Sequence, residues 1–348
     1  MKQKNKIRYK IFLIALLILT NCTTPADELF STHGSTMGTT YSVKIVKDVR
    51  QNPPVNFETL SPKIDSLLLA VNRQMSTYMQ DSEISRFNQF QDTSWFPISE
   101  DFAKVLLASY QICEASNGAF DFTVGPLVNL WGFGPENRDE MIPTDQEISE
   151  RKSKVGYQKI KIRLNPPAVK KAMPGMYCDL SATAKGFGVD KLAEYFESLN
   201  FANYLVEIGG EVRAKGVNER GETWVIGIQT PDESRGIQKI VRLEDNAMAT
   251  SGDYFNYYEV DGKRYSHTID PLTGKPITHK LASVSVMQKS CMIADGLATA
   301  IDVLGPEKGF VFARKRKLPV FMIVRGATGF EEKMTPEFKA VLEIRNKE

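Results

Sequence analysis

The chain has 348 residues, of which 42% are hydrophobic, 10% aromatic and 25% charged. That composition excludes a disordered or fibrous chain and suffices for a large buried core. The formal charge of +2 sits in the leader: without residues 1–21 five basic and no acidic side chains are lost, and the balance becomes −3. With no basic stripe interleaved with aromatics, nucleic-acid binding has no support.

In chain order, "MKQKNKIRYK" is a basic segment and "IFLIALLILT" an apolar run of ten residues, too short to span a bilayer comfortably. Leu19-Thr20-Asn21-Cys22 then has the pattern of a bacterial lipoprotein signal, with Cys22 as the lipidated first residue of the mature protein. The expectation is an exported, membrane-anchored lipoprotein facing the periplasm; a plain signal peptide or an uncleaved anchor is the alternative. Residues 22–32 read as a tether and 33–348 as the folded domain.

Alternating β-branched residues predict a strand at 39–46. Apolar spacing at Ile64, Leu67, Leu68 and Val71 predicts a helix within 57–79. A second helix, from Glu100 to Ser116, has Ser99 as N-cap and Asn117-Gly118 as its stop. "GAFDFTVGPLVNLWGFGP" fits neither helix nor strand. A charged helix at 144–154, strands at 157–164 and 176–180, and a helix ending near Asn200 follow. Strands are expected at 203–208, 223–229, 237–243, 254–260 and 281–287, then helices at Cys291–Leu304 and Glu307–Arg316 and a strand at 319–324. Hairpin-like strands mixed with helices, without regular βαβ alternation, predict an α+β fold with mixed or largely antiparallel sheets packed against helices. Cys113, Cys178 and Cys291 are an odd set without close spacing, so they read as small buried residues rather than a disulfide framework or zinc site, although one pair could be bridged.

Six stretches carry polar and backbone-permissive residues that a plain core would not need. "HGSTMGTTYS" places glycines on both sides of Met37, allowing close approach to a ligand. "MSTYMQDSEISRFN" sets Tyr78 between a helix end and a new helix capped by Asp81 or Ser82. "GAFDFTVGPL" holds Asp121 between two phenylalanines, where a carboxylate must find a hydrogen bond or a cation. In "DLSATAKGFG", Ser181 or Thr183 can cap the following helix, whose first turn attracts an anion. Lys185 in that turn opposes the macrodipole, which is best explained if it faces negative charge. In "CMIADGLATAIDVLG", Asp295 and Thr299 share one helical face and suit a hard cation with oxygen ligands, magnesium above all. In "SHTIDPLTGKP", His267 precedes a turn stiffened by Pro271.

Together and in this order, these stretches resemble the ApbE family, the FAD:protein FMN transferases, from Gly34 to about Val324. The pattern H-x-I-D-P-x-T-G-x-P and the helix A-D-x-L-A-T-A are its strongest elements. The resemblance implies an enzyme that cleaves FAD, moves FMN to a threonine or serine hydroxyl of a partner protein as a phosphoester, and releases AMP. It implies that Met37, Tyr78, Ala119, Phe120, Asp121, Asp179, Lys185, Thr268 and Ile269 line the FAD site. It further implies that Asp295, Thr299 and the carbonyl of Ala182 hold Mg²⁺, and that His267 is the base. The acceptor would be a redox subunit, such as those of sodium-pumping quinone reductases or related complexes. Two alternatives stay open: an FAD pyrophosphatase yielding FMN and AMP, and a lipoprotein that only binds flavin. Asp295-Gly296-Leu297-Ala298-Thr299-Ala300 also resembles the kind of stretch such enzymes modify, but it reads as the metal helix.

Overall fold

The computed structural model describes residues 28–47, 57–136, 142–232, 236–252 and 256–343; the leader and Cys22 lie outside them. The alternation at 39–46 does form a strand, β2 (Thr39–Lys47), which pairs antiparallel with β1 (Glu28–Thr36) through a two-residue turn at Met37-Gly38. Both turn residues have positive φ, 50° and 72°, as a tight hairpin that follows strand twist requires. Residues 28–32, expected as part of a tether, thus belong to β1, and residues 22–27 lie outside the described residues. The polar sequence of β1 hides it from periodicity; that polarity is tolerated because β1 is an edge strand, pinned where Phe30 stacks on Phe57 with ring centroids 5.1 Å apart.

Helices α1 (Leu60–Met75) and α2 (Glu83–Gln89) follow, then the short strand β3 (Phe96–Pro97) and α3 (Glu100–Ala115). Ser82 and Ser99 cap α2 and α3 through their hydroxyls. The aromatic-rich segment contains one short helix, α4 (Gly125–Leu130), started by Pro126 in its first turn. After α5 (Asp145–Lys152), strands β4 (Ile160–Leu164) and β5 (Pro167–Lys171) join β3 in a small sheet.

Residues 176–180, expected as a strand, form no regular element. The Asn88 amide substitutes for a neighbouring strand, accepting from Cys178 N at 2.8 Å and donating to Cys178 O at 2.9 Å. Beside it Lys171, wholly buried, donates to the carbonyls of Phe87, Asn88 and Met176 at 2.9, 3.2 and 3.4 Å.

The rest of the chain builds the main sheet and its cover: α6 (Ser181–Ser198), β6 (Asn203–Ile208), β7 (Glu211–Lys215), the hairpin β8 (Trp224–Gln229) and β9 (Ile237–Leu243), and β10 (Asn246–Gly252). Then come β11 (Tyr257–Val260), β12 (Lys263–Ser266), β13 (Ile269–Asp270), β14 (Lys275–Pro276), β15 (Leu281–Gln288), α7 (Cys291–Lys315), β16 (Val320–Arg325), β17 (Phe330–Met334) and α8 (Pro336–Glu343). The main sheet runs β1-β2-β6-β7-β10-β15-β16-β17, and each neighbouring pair is antiparallel. The fold is α+β, as the mixture of hairpin-like strands and helices indicated.

Strand periodicity sends side chains to two faces of the sheet. On β16, Val320 and Met322 join the helical side with α3 and α7, while Phe321 and Ile323 join Trp224, Val241 and Phe338 on the other. On β2 and β6, Val43, Ile45, Val206 and Ile208 pack against Leu60, Ile64 and Leu68 of α1, and against Val189 and Phe196 of α6. The two helices expected at 291–304 and 307–316 meet at Gly305, where φ is 76°. All three cysteines in the described residues are buried and free.

Candidate active site

The site is organised by α6 crossing α7. A Cβ placed on Gly186 would lie 2.5 Å from the Cys291 carbonyl oxygen and 2.7 Å from Met292 Cα, so glycine permits backbone-to-backbone contact there. Asp190, one turn further along α6, fixes the crossing. Its carboxylate accepts from Cys291 N, Met292 N and the Ser290 hydroxyl at 3.0, 3.1 and 2.6 Å, and pairs with Arg213 at 2.8 Å. It thus satisfies the first free N–H groups of α7 from outside the helix.

One stripe of α7 carries Asp295, Thr299 and Asp302, spaced i, i+4 and i+7. Asp295 is buried, and its Oδ2 accepts from Gly186 N at 3.0 Å. Thr299 Oγ1 lies 3.2 Å from Ser251 Oγ at the end of β10. Ala182 sits in the first turn of α6, and the neighbouring Thr183 methyl would be 3.0 Å from a Cβ on Gly296. Among the described residues no three His, Cys, Asp or Glu side chains gather as a metal cage. A cation held here would draw on one carboxylate, hydroxyls and main-chain oxygens, the hard donor set that magnesium prefers.

The negative charge that Lys185 calls for is provided by the chain itself. The ammonium lies 3.6 Å from Glu211 Oε1 and 3.9 Å from Asp295 Oδ1, and 28% of the Lys185 side chain is exposed. Burial opposes the charged lysine, but Asp295 and then Glu211 outweigh it and raise its pKa. Burial raises both acids, with Lys185 pulling each back; Glu211 is pushed up to about 8. Glu211 Oε2 is buried without a hydrogen-bond donor.

His267 leaves β12 half-buried, with Phe133 edge-on at 6.3 Å between centroids. Its Nδ1 is 3.0 Å from the Asn256 carbonyl oxygen. A carbonyl only accepts, so Nδ1 carries the proton and the lone pair of a neutral ring is on Nε2. Thr268 is buried and donates to Asp302 Oδ2 at 3.1 Å, tying the histidine loop to the α7 stripe. Ile269 pairs with Pro276 across the two-strand clip β13–β14, and Leu272 N donates to Asp270 Oδ1 at 2.9 Å.

The remaining sequence candidates fall into two groups. Met37 occupies the β1–β2 turn with its methyl toward Gly188 of α6, at a place where a Cβ would meet it at 2.9 Å. Tyr78 is 69% exposed; burial of its hydroxyl and the nearby Asp179 carboxylate raise its pKa. Leu180, not Ser181 or Thr183, is the N-cap of α6, and Ser181 and Thr183 lie inside the helix; Asp179, just before the cap, accepts from Ser181 N through Oδ1 at 2.9 Å. Asp179 N in turn donates to the Phe122 carbonyl at 2.7 Å, which joins this segment to Ala119, Phe120 and Asp121.

Asp121 has both oxygens occupied by the chain, Oδ1 by Thr123 N and Oγ1 at 2.8 and 2.6 Å and Oδ2 by Tyr157 N at 3.0 Å. It braces the loop from within. Sequence reasoning missed Asp190, Glu211, Ser251, Asn256 and Asp302; only Asp302 had a signal, the i+7 spacing from Asp295.

A family model described as the ApbE family matches residues 37–322. The chain is 46% identical over 334 residues to the FAD:protein FMN transferase of Vibrio cholerae, covering 95% of this chain and 98% of that one. It is 44% identical to the protein of the same name from Haemophilus influenzae, over 96% and 98% of the two chains. Among solved structures it is similar to the flavin transferase ApbE from Vibrio cholerae, with a TM-score of 0.83 at 45% identity, covering 90% of this chain and 99% of that one. The flavinyl transferase ApbE of Pseudomonas stutzeri, in its apo form, gives 0.84 at 40% identity, covering 91% and 97%.

Proposed function

The chain belongs to the ApbE family, and on that premise we propose that it transfers FMN from FAD to a threonine or serine hydroxyl of a partner protein. The observation that carries this reading is the single stripe of α7. Asp295 and Thr299 on it offer oxygens to a cation, and Asp302 on it holds the loop of His267 through Thr268.

Asp295, Thr299 and the Ala182 carbonyl would hold Mg²⁺, which supplies charge neutralisation at the pyrophosphate when bound. The acceptor oxygen attacks the FMN-side phosphorus, forming the new phosphoester as the bond to the AMP oxygen breaks. The acceptor proton passes to His267 Nε2, whose lone pair the Asn256 carbonyl orients by holding Nδ1–H. Tyr78, exposed beside Asp179, offers a stacking face to a planar ring system. Lys185 supplies positive charge at the mouth of the cation site. Met37, Ala119, Phe120, Asp121, Thr268 and Ile269 shape the flavin site from behind.

Our reading extends to a lipid anchor at Cys22, export to the periplasmic side, and a redox subunit as acceptor. The test incubates the protein with FAD, Mg²⁺ and an acceptor domain and measures intact mass. Added FMN on the acceptor with release of AMP is expected; FMN and AMP formed at equal rate without an acceptor would instead make it a pyrophosphatase.

A further inference from the structure

Glu211 has no part in the chemistry above, yet it is only 2% exposed and one of its carboxylate oxygens, Oε2, has no donor. A buried polar atom left so costs stability unless another state of the molecule uses it. The ion pairs of Glu211 and Asp295 both run to the Lys185 ammonium, at 3.6 and 3.9 Å. Both separations exceed the roughly 2.7–2.9 Å of a tight charge-assisted hydrogen bond. The ammonium is therefore shared between the two acids and seated on neither.

We propose that Glu211 is a positioning residue that gives the Lys185 ammonium a second seat, so that a divalent cation can displace it from Asp295. The inference rests on the cation site assigned above. A cation arriving on Asp295 repels the ammonium, which then moves fully onto Glu211 and satisfies Oε2. Without the Glu211 charge, the ammonium closes on Asp295 and competes with the cation for it. With both acids ionised, the two acids and one ammonium carry a net charge of −1, and Glu211→Gln cancels that attraction for the cation as well.

The test is binding of Mn²⁺ alone to the full chain, without FAD, followed by the paramagnetic resonance signal of the free ion. Glu211→Gln should weaken binding about tenfold. The isosteric pair Lys185→Met with Glu211→Gln, which removes the competitor too, should bind at least as tightly as the parent. Glu211→Gln binding like the parent, or the double variant as weak as the single, overturns the proposal while leaving the cation site standing. Absence of Mn²⁺ binding by the parent overturns the cation site itself. Should Glu211→Gln fail to fold, the double variant decides: binding weaker than the parent refutes the ammonium's role as competitor.

Discussion

Substituting Gly186 by alanine sets two effects of known sign against each other. In an ordinary helix interior the change stabilises by about 1 kcal/mol, because glycine has more backbone freedom to lose. Here the new methyl would lie 2.5 Å from the Cys291 carbonyl oxygen and 2.7 Å from its carbon. These are backbone atoms at the start of α7, and Asp190 holds them with hydrogen bonds to Cys291 N and Met292 N. They cannot rotate aside, so α6 and α7 must separate by several tenths of an ångström. Overpacking of this kind costs about 1–3 kcal/mol, and because backbone is the obstacle we expect the upper part of that range.

The net effect is a loss of about 1–2 kcal/mol, or a fall of a few degrees in Tm. The site suffers more than the fold. Separation stretches the 3.0 Å bond from Gly186 N to Asp295 Oδ2 and draws the Ala182 carbonyl away from α7. Mn²⁺ affinity should therefore fall by tenfold or more while most of the stability remains. Thermal unfolding and metal titration on the same sample check both. A higher Tm with unchanged Mn²⁺ affinity would refute the close crossing as the basis of the site.

His267→Ala should leave FAD binding intact and slow transfer by about 10²–10⁴, read from acceptor mass against time. Asp295→Asn should abolish Mn²⁺ binding, whereas Thr299→Val should weaken it by a smaller factor; calorimetric titration separates the two. Asp190→Asn removes charge from a carboxylate that pairs with Arg213 and caps α7, and should cost about 3–5 kcal/mol in denaturant unfolding. Burial raises the folded-state pKa of Glu211 from 4.5 to about 8, so the stability it confers is present below pH 4.5 and lost as pH rises through 8. In metal-free protein, Glu211→Gln should reduce the drop in unfolding free energy between pH 5 and pH 8 by on the order of 3 kcal/mol.

The helices were legible because long apolar periodicity and serine caps announce themselves locally: Ser82 and Ser99 cap as their positions suggest. Strands with β-branched alternation, such as 39–46 and 281–287, were equally readable. β7, β10 and β12 were not, since "EVRAK", "NAMATSG" and "KRYS" have weak strand propensity and are strands only because neighbours pair with them. The site shows the same division. The Asp295–Thr299 spacing is local and visible. The facing of Glu211 to Lys185, of Asn256 to His267 and of Asp190 to Cys291 joins residues from separate elements, and no periodicity marks it.

The β1–β2 hairpin has a direction. Its turn, with Met37 packed on α6, marks the end nearest the proposed flavin site, and Glu28 marks the other, about 27 Å away at the usual rise per residue. An anchor joined upstream of Glu28 would hold the protein by the end remote from its working mouth. The strand would then act as a stiff standoff, presenting that mouth outward to whatever soluble or membrane-borne domain comes to be modified.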